Sequence, residues 1–222
     1  MVNPLVSILI PFKNVEEFLE ECLESICSQT YQNWEVLAIN DQSDDNSLAI
    51  AKRFSQLDNR FKIFTNTESG IITALRKAYE YSSGDYITRM DADDHMTVDR
   101  IQTMLTSLKE KGKGFLAIGQ VKYFAENGVN DGYDRYEKWL NQLTADGTNF
   151  EEIYKECVIP SPCWMVHKTD FHPTDIQKIM ILHSGFIKRV SLVFHATKPF
   201  TIGEIMIREH LEPANTMHKI TF

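Results

Sequence analysis

The sequence predicts an α/β fold, a Rossmann-like and mostly parallel sheet flanked by helices. Two observations predict it. Short, β-branched apolar runs alternate with amphipathic stretches of helical length, the pattern of βαβ units. Carboxylate-rich polar clusters then follow the apolar runs, at the strand ends where open α/β sheets bind ligands.

Leu5 to Ile10 is a short apolar run that Pro11 stops, and it predicts a buried strand. Asn14 then caps a predicted helix from Val15 to Ile26. Phe18, Leu19, Cys22, Leu23 and Ile26 share one face of it, and acidic residues fill its first turn. Trp34 to Ile39 is the second strand. The polar cluster Asn40 to Ser47 ends it and opens a second helix. Phe61 to Phe64 is a third strand, and Gly70 precedes a helix carrying Arg76, Lys77 and Tyr79. Tyr86 to Met90 is the fourth strand. Further along, Ile101 to Lys111 predicts a helix and Phe115 to Phe124 a strand, with a turn at Glu126 to Gly128. Tyr136 to Leu143 and Phe150 to Cys157 predict helices. Val158 to Val166 is extended and punctuated by Pro160 and Pro162.

The chain of 222 residues fits one large domain, or one domain and an appendage, and can bury a sizeable core. Its formal net charge of -8 argues against broad nucleic-acid binding but leaves room for a local basic patch. No apolar run approaches the roughly 18 residues of a membrane span. The N-terminus has no basic segment ahead of an apolar one, so no signal peptide is expected. Cys22, Cys27, Cys157 and Cys163 have neither zinc-type nor redox spacing. Free thiols in a cytoplasmic protein follow, with peripheral docking at the inner face of a membrane still open. There are no internal repeats, and neither a Gly-x-Gly-x-x-Gly nor a Walker pattern follows any strand.

Met90-Asp91-Ala92-Asp93-Asp94 carries the most chemical information. Carboxylates this close repel one another unless a cation or a ligand's donors compensate. Hard divalent cations take oxygen ligands, and Mg²⁺ typically uses one or two carboxylates together with substrate phosphates. A strand end with this density reads as a metal-bridged diphosphate site; the bland alternative is a solvated acidic turn.

Taken together, the motifs resemble glycosyltransferase family 2, which has the GT-A fold. Val6 to Asn14 resembles its opening strand and Pro-x-x-Asn turn. Asn40-Asp41-Gln42-Ser43-Asp44-Asp45 resembles its second motif, Gly70 to Arg76 its Gly-then-Arg helix, and Asp91-Ala92-Asp93-Asp94 its Asp-x-Asp metal motif. The four occur in family order and cover residues 5 to about 170. Each is weak alone; the combination is specific.

The resemblance implies a nucleotide-sugar donor, with UDP-sugar expected. Asp41 would accept a hydrogen bond from a uracil-type N–H, as an ionised carboxylate suits. Pro11 and Asn14 would shape the backbone around base and ribose. Arg76 would face the diphosphate, where a guanidinium suits phosphate oxygens. Asp91 would lie near the ribose or the metal, and Asp93 would bind Mn²⁺ or Mg²⁺, with Asp94 a further candidate ligand. The acceptor would be a saccharide or lipid-linked hydroxyl, attacked with inversion. The sequence is silent on the donor sugar, the acceptor and the oligomeric state.

The chain divides into a donor-binding GT-A domain at 1–171 and an atypical segment at 172–222. The family supplies its general base from an acidic pair about 80–100 residues after the metal motif, and a base must lie within hydrogen-bonding reach. No Glu-Asp pair follows Phe171, so the catalytic base is unassigned. The histidines of this segment, His172, His183, His195, His210 and His218, lack metal-ligand spacing. In the frame built from the third base of each codon and the first two of the next, residues 175–181 can encode Tyr-Pro-Glu-Asp-Tyr-Asp. In the same frame, residues 200–206 can encode His-Tyr-Trp-Arg-Asp-Tyr. The first resembles the family's base motif and the second its late His element. A single-base frameshift near residue 172 accounts for both.

Two other classes compete. A nucleotidyltransferase on a similar sheet would carry a Gly-rich, basic loop after the first strand, where this chain has Pro11-Phe12-Lys13-Asn14. A non-catalytic carbohydrate-binding module would need an aromatic platform, for which Tyr133, Tyr136, Trp139 and Trp164 are the candidates; core packing is the commoner fate of Trp.

Overall fold

The computed structural model describes residues 3–125, 128–152, 157–171 and, as backbone, 200–208. Four parallel strands form its first half. They are β1 (Val6–Phe12), β2 (Trp34–Asn40), β3 (Phe61–Thr65) and β4 (Tyr86–Arg89), and they lie in the order β3-β2-β1-β4. Helices connect them: α1 (Leu19–Cys27), α2 (Ser47–Leu57) and α3 (Ile71–Tyr81). Every residue of β1, β2 and β4 is buried, as a sheet covered on both faces requires.

Alternation along β1 assigns the two faces. Val6, Ile8 and Ile10 pack with Leu19, Leu23 and Ile26 of α1 and with Ala51 and Phe54 of α2. Leu9 packs on the opposite face, with Leu37 and Ile39 of β2 and Ala74, Leu75 and Ala78 of α3. The chain thus winds outward from β1 to β3 over one face and returns over the other to β4. The strand order switches between β1 and β4, which opens a crevice at their carboxyl ends.

The second half extends the sheet. It contains β5 (His95–Met96), α4 (Arg100–Lys111), β6 (Leu116–Phe124), α5 (Asp131–Asp146), α6 (Asn149–Glu152), β7 (Trp164–His167) and β8 (Phe200–Arg208). The full order is β3-β2-β1-β4-β7-β6-β8-β5, with β7 antiparallel to both β4 and β6. β8 runs parallel to β6 and antiparallel to β5. β8 is the only part of 172–222 among the described residues, and it includes the stretch 200–206; the five histidines and the stretch 175–181 fall outside them, as do residues 126–127 and 153–156 of the predicted turn and helix.

The end of the sheet opposite the crevice is pinned by polar contacts. Glu35 of β2 accepts hydrogen bonds from Ser7 Oγ (2.6 Å), the Ser83 amide (2.5 Å) and Lys62 Nζ (2.6 Å). Burial works to raise the Glu35 pKa, but these three donors outweigh it and hold the carboxyl below its ordinary range. Ser7 Oγ in turn accepts from the Gly84 amide at 2.8 Å. A Cβ on Gly84 would lie 2.6 Å from Ser7 Oγ and 2.7 Å from the Leu5 carbonyl, so only glycine allows β4 to start this close to β1.

Two boundaries differ from the sequence expectation. β1 continues through Pro11 to Phe12 instead of stopping at Ile10. Its pairing with β4 ends at Leu9, so the missing Pro11 N–H interrupts no ladder on that side. α1 begins at Leu19, after a turn in which the Phe18 and Leu19 amides both donate to the Val15 carbonyl, and no side chain caps it.

Candidate active site

Asn14 is not the helix cap that its position suggested. It adopts a left-handed backbone (φ 51°), and its side-chain oxygen accepts from the Asp44 amide at 3.0 Å, across to the loop after β2. Its own amide donates to Ser43 Oγ at 3.1 Å. The exchange continues along the two loops. The Val15 amide donates to Ser47 Oγ (2.9 Å) and the Glu16 amide to Asp45 Oδ2 (2.9 Å), while Glu16 Oε2 accepts from the Asn46 amide (2.7 Å). The two loops are therefore one rigid unit at the carboxyl ends of β1 and β2. Pro11, buried within β1, lies just below it.

Asp41 follows β2 directly, and its amide donates to the Phe12 carbonyl. Its carboxylate is buried at the rim. Both oxygens accept from the Gly70 amide at 2.9 Å, and Oδ1 also accepts from Asn66 Nδ2 at 2.9 Å. Asn66 Nδ2 also reaches Thr73 Oγ1 at 2.9 Å. Gly70 has a φ of 135°, a conformation that a side chain would strain, and it immediately precedes α3. Asp41 thus fixes the start of the helix on which Arg76 stands, half-buried beside the buried stripe Ala74, Leu75 and Ala78. Sequence reasoning missed Asn66 and the Gly70 amide, because backbone donors leave no mark in composition.

After β4 the chain turns sharply, with the Asp94 amide donating to the Asp91 carbonyl. The three carboxylates differ in setting. Asp91 is half-buried, and its Oδ1 takes Arg89 Nε (2.7 Å) and Arg89 Nη2 (2.6 Å). Asp93 is half-buried like Asp91, and Asp94 is buried at 3% exposure. Cys22 of α1 lies beneath the turn, its Sγ 3.5 Å from the Asp91 carbonyl. Burial, and then the Asp94, Asp93 and Asp91 charges, push its thiol well above the ordinary range. Cys163 is buried and raised likewise, so both are unreactive core thiols.

No group of three or more His, Cys, Asp or Glu side chains converges on a metal position among the described residues. The donor set fits a cation held in part by something else. Asp93 is a partly exposed carboxylate, and a divalent ion of this kind commonly takes one or two carboxylates and completes its shell with phosphate oxygens and water.

The aromatic candidates do not form one surface. Ring contacts join Tyr123 of β6 to Tyr133 and Tyr136 of α5, and Tyr136 to Trp139. Trp164 is buried in the apolar cluster that includes Tyr123, and it stacks on Phe171.

The family model for glycosyl transferase family 2 matches residues 7–173. The chain belongs to that family. This member of the family is 31% identical over 162 residues to glycosyltransferase GlyA of Streptococcus pneumoniae, covering 70% of this chain and 22% of that protein. It is 39% identical over 145 residues to an uncharacterized glycosyltransferase of Haemophilus influenzae, covering 63% of this chain and 45% of that protein. It therefore spans less than half the length of either relative. Two solved structures share the GT-A fold at 14% identity. S. aureus TarS with UDP-GlcNAc superposes with a TM-score of 0.67, covering 94% of this chain and 59% of that one. The mannosyltransferase PcManGT of Pyrobaculum calidifontis, with GDP-Man and Mn²⁺, superposes at 0.62, covering 93% and 57%. No helix among the described residues is long and apolar enough to cross a membrane.

Proposed function

We propose that residues 1–171 bind a nucleoside-diphosphate sugar, a UDP-sugar in first place, across the carboxyl ends of β1, β2 and β4. The reaction served is inverting transfer to a saccharide or lipid-linked hydroxyl, with Mn²⁺ or Mg²⁺. The observation that carries this reading is the convergence on one rim of motifs from four separate strand ends: the Pro11–Asn14 turn, Asp41, the start of α3 bearing Arg76, and the Asp91–Asp94 turn.

Each group has a task it suits. Asp41 reads the base N–H. A carboxylate offers about four lone-pair positions, and Gly70 and Asn66 leave capacity for one more donor. Pro11 and Asn14 set the backbone around base and ribose, Arg76 faces the diphosphate, and Asp91 faces the ribose. Asp93, with Asp94 as the further candidate, holds the cation. When bound, the cation neutralises charge on the departing diphosphate as a Lewis acid and template.

The general base is not assigned within 1–171. Segment 172–222 is read as the product of a single-base frameshift, on the strength of the two family-like motifs that its displaced frame can encode. On this reading the polypeptide keeps the donor half and transfers little. It acts in the cytoplasm or docked at the inner face of a membrane.

The test is a nucleotide panel. With Mn²⁺ present, the chain should bind UDP more tightly than CDP, whose ring nitrogen accepts where uracil donates. Asp41→Asn should cost UDP about tenfold, the scale of a charge-assisted hydrogen bond, and erase the preference. Equal affinity for both nucleotides in the unaltered chain would remove the base-reading role of Asp41.

A further inference from the structure

Arg100 is the first residue of α4 and is fully buried. Four- and eight-residue spacing places it on the same face as Met104 and Leu108, so a cation occupies an apolar stripe. Burying a guanidinium is costly, and its contacts show what the cost secures. Nη2 donates to the Pro162 carbonyl and to Thr88 Oγ1 of β4 (2.9 Å), and Thr88 Oγ1 donates in turn to the Trp164 carbonyl. The carbonyl between these two, that of Cys163, accepts from the Gly119 amide of β6 at 2.7 Å. Three successive carbonyls are thus held by α4, β6 and β4. The Cys163 amide closes a turn onto the Pro160 carbonyl at 2.9 Å. Pro162 and Cys163 are buried, and Pro160 and Ser161 form the half-buried tip.

The turn 160–163 lies at the same rim as the candidate site. β7 runs antiparallel to β4, with Thr88 opposite Met165, so the amino end of β7 meets the carboxyl end of β4. Carried past the strand ends, that register brings the turn 160–163 beside the Asp91–Asp94 turn. The neighbouring strands β2, β1, β4 and β7 therefore deliver their rim segments in one line. Asp41 comes first, then the Pro11–Asn14 turn, then the Asp91–Asp94 turn, then 160–163. Base, ribose, diphosphate and sugar follow one another in the same order along a nucleoside-diphosphate sugar. The three strand spacings from β2 to β7 span about 14 Å, which base, ribose and two phosphates fill.

We infer that the turn 160–163 is the wall of the donor-sugar subsite, with Ser161 the residue that meets the sugar and Arg100 a positioning residue that holds the turn against β4. This rests on the proposed placement of the base at Asp41 and the diphosphate at the Asp91–Asp94 turn. A hexose offers hydroxyls and C–H faces. The Ser161 hydroxyl donates to or accepts from the first, and the Pro160 ring packs on the second. With the carbonyls of Pro162, Cys163 and Trp164 all engaged, the turn cannot retreat to admit a larger group. The size of residue 161 therefore limits which sugars enter.

The test compares UDP with UDP-glucose, UDP-galactose and UDP-GlcNAc by equilibrium binding in the presence of Mn²⁺, alongside thermal melting. S161W should weaken the three UDP-sugars by about tenfold or more, as overfilling a tight space does, and leave UDP within about twofold. S161A should weaken the best-bound UDP-sugar by about fivefold, the scale of one hydrogen bond, and again spare UDP. R100M loses the tie to Thr88 and Pro162. It should melt lower and lose more affinity for the UDP-sugars than for UDP, whereas an arginine that only supports the fold would cost both alike. S161Q provides the bulky arm if S161W does not fold. Folded Ser161 variants that bind the UDP-sugars as the unaltered chain does, or that weaken UDP and UDP-sugars equally, would overturn the inference and leave the base and cation reading standing. An R100M with equal losses for both would remove the positioning role of Arg100. Failure of the unaltered chain to bind UDP with Mn²⁺ would overturn the base and cation reading, and the inference with it.

Discussion

Asp93→Asn is expected to lower Mn²⁺-dependent UDP binding by about 100-fold, roughly 2.7 kcal/mol. The size follows from the differences among the three carboxylates. Asp91 is held by two nitrogens of Arg89 and Asp94 is buried, whereas Asp93 is the partly exposed carboxylate proposed to hold the ion. Removing its charge removes a principal protein ligand from an ion that has few. Binding of UDP without Mn²⁺ should change little, because Asp41 and α3 are untouched. Equilibrium binding with Mn²⁺ and with chelator separates the two terms. A loss of UDP binding that is equal with and without Mn²⁺ would mean that Asp93 supports the fold of the rim and does not hold the ion.

Restoring the alternative reading frame after codon 171 is expected to raise sugar transfer by about 10²–10⁴-fold, the usual contribution of a positioned general base. The displaced frame can encode an acidic pair where the family keeps its base, and the given frame has none. Nucleotide affinity should be similar in the two chains, since the proposed donor rim lies within 1–171. The measurement is UDP release from a panel of UDP-sugars in the presence of Mn²⁺ and candidate acceptors. A restored chain that folds and binds UDP but releases it no faster than the given chain would eliminate the frameshift account.

The first half of the fold was legible because its signals are local and repeated. β-branched runs mark β1 to β4, and helical periodicity in Leu19, Cys22, Leu23 and Ile26 marks the buried face of α1. Boundaries were less legible where tertiary contacts decide them. Pro11 looked like a strand stop, yet its side of the ladder has already ended. Asn14 looked like a cap, yet its oxygen is spent on the next loop. The proposed rim residues were noticed because carboxylates directly after apolar runs are rare. Their individual settings were not. Nothing in the pattern tells that Arg89 holds Asp91, that Asn66 and the Gly70 amide hold Asp41, or that Arg100 points inward. The last left one trace, a cation at an apolar-face position of α4, which counts only once the face is known.

The central claim is that the rim of β1, β2 and β4 takes a nucleoside diphosphate together with a divalent ion. Calorimetric titration of UDP into the purified chain, with Mn²⁺ and then with chelator, tests it most directly. The account predicts saturable one-to-one binding with Mn²⁺ that weakens by at least about tenfold in chelator. Binding that is absent in both conditions, or identical in both, would contradict it.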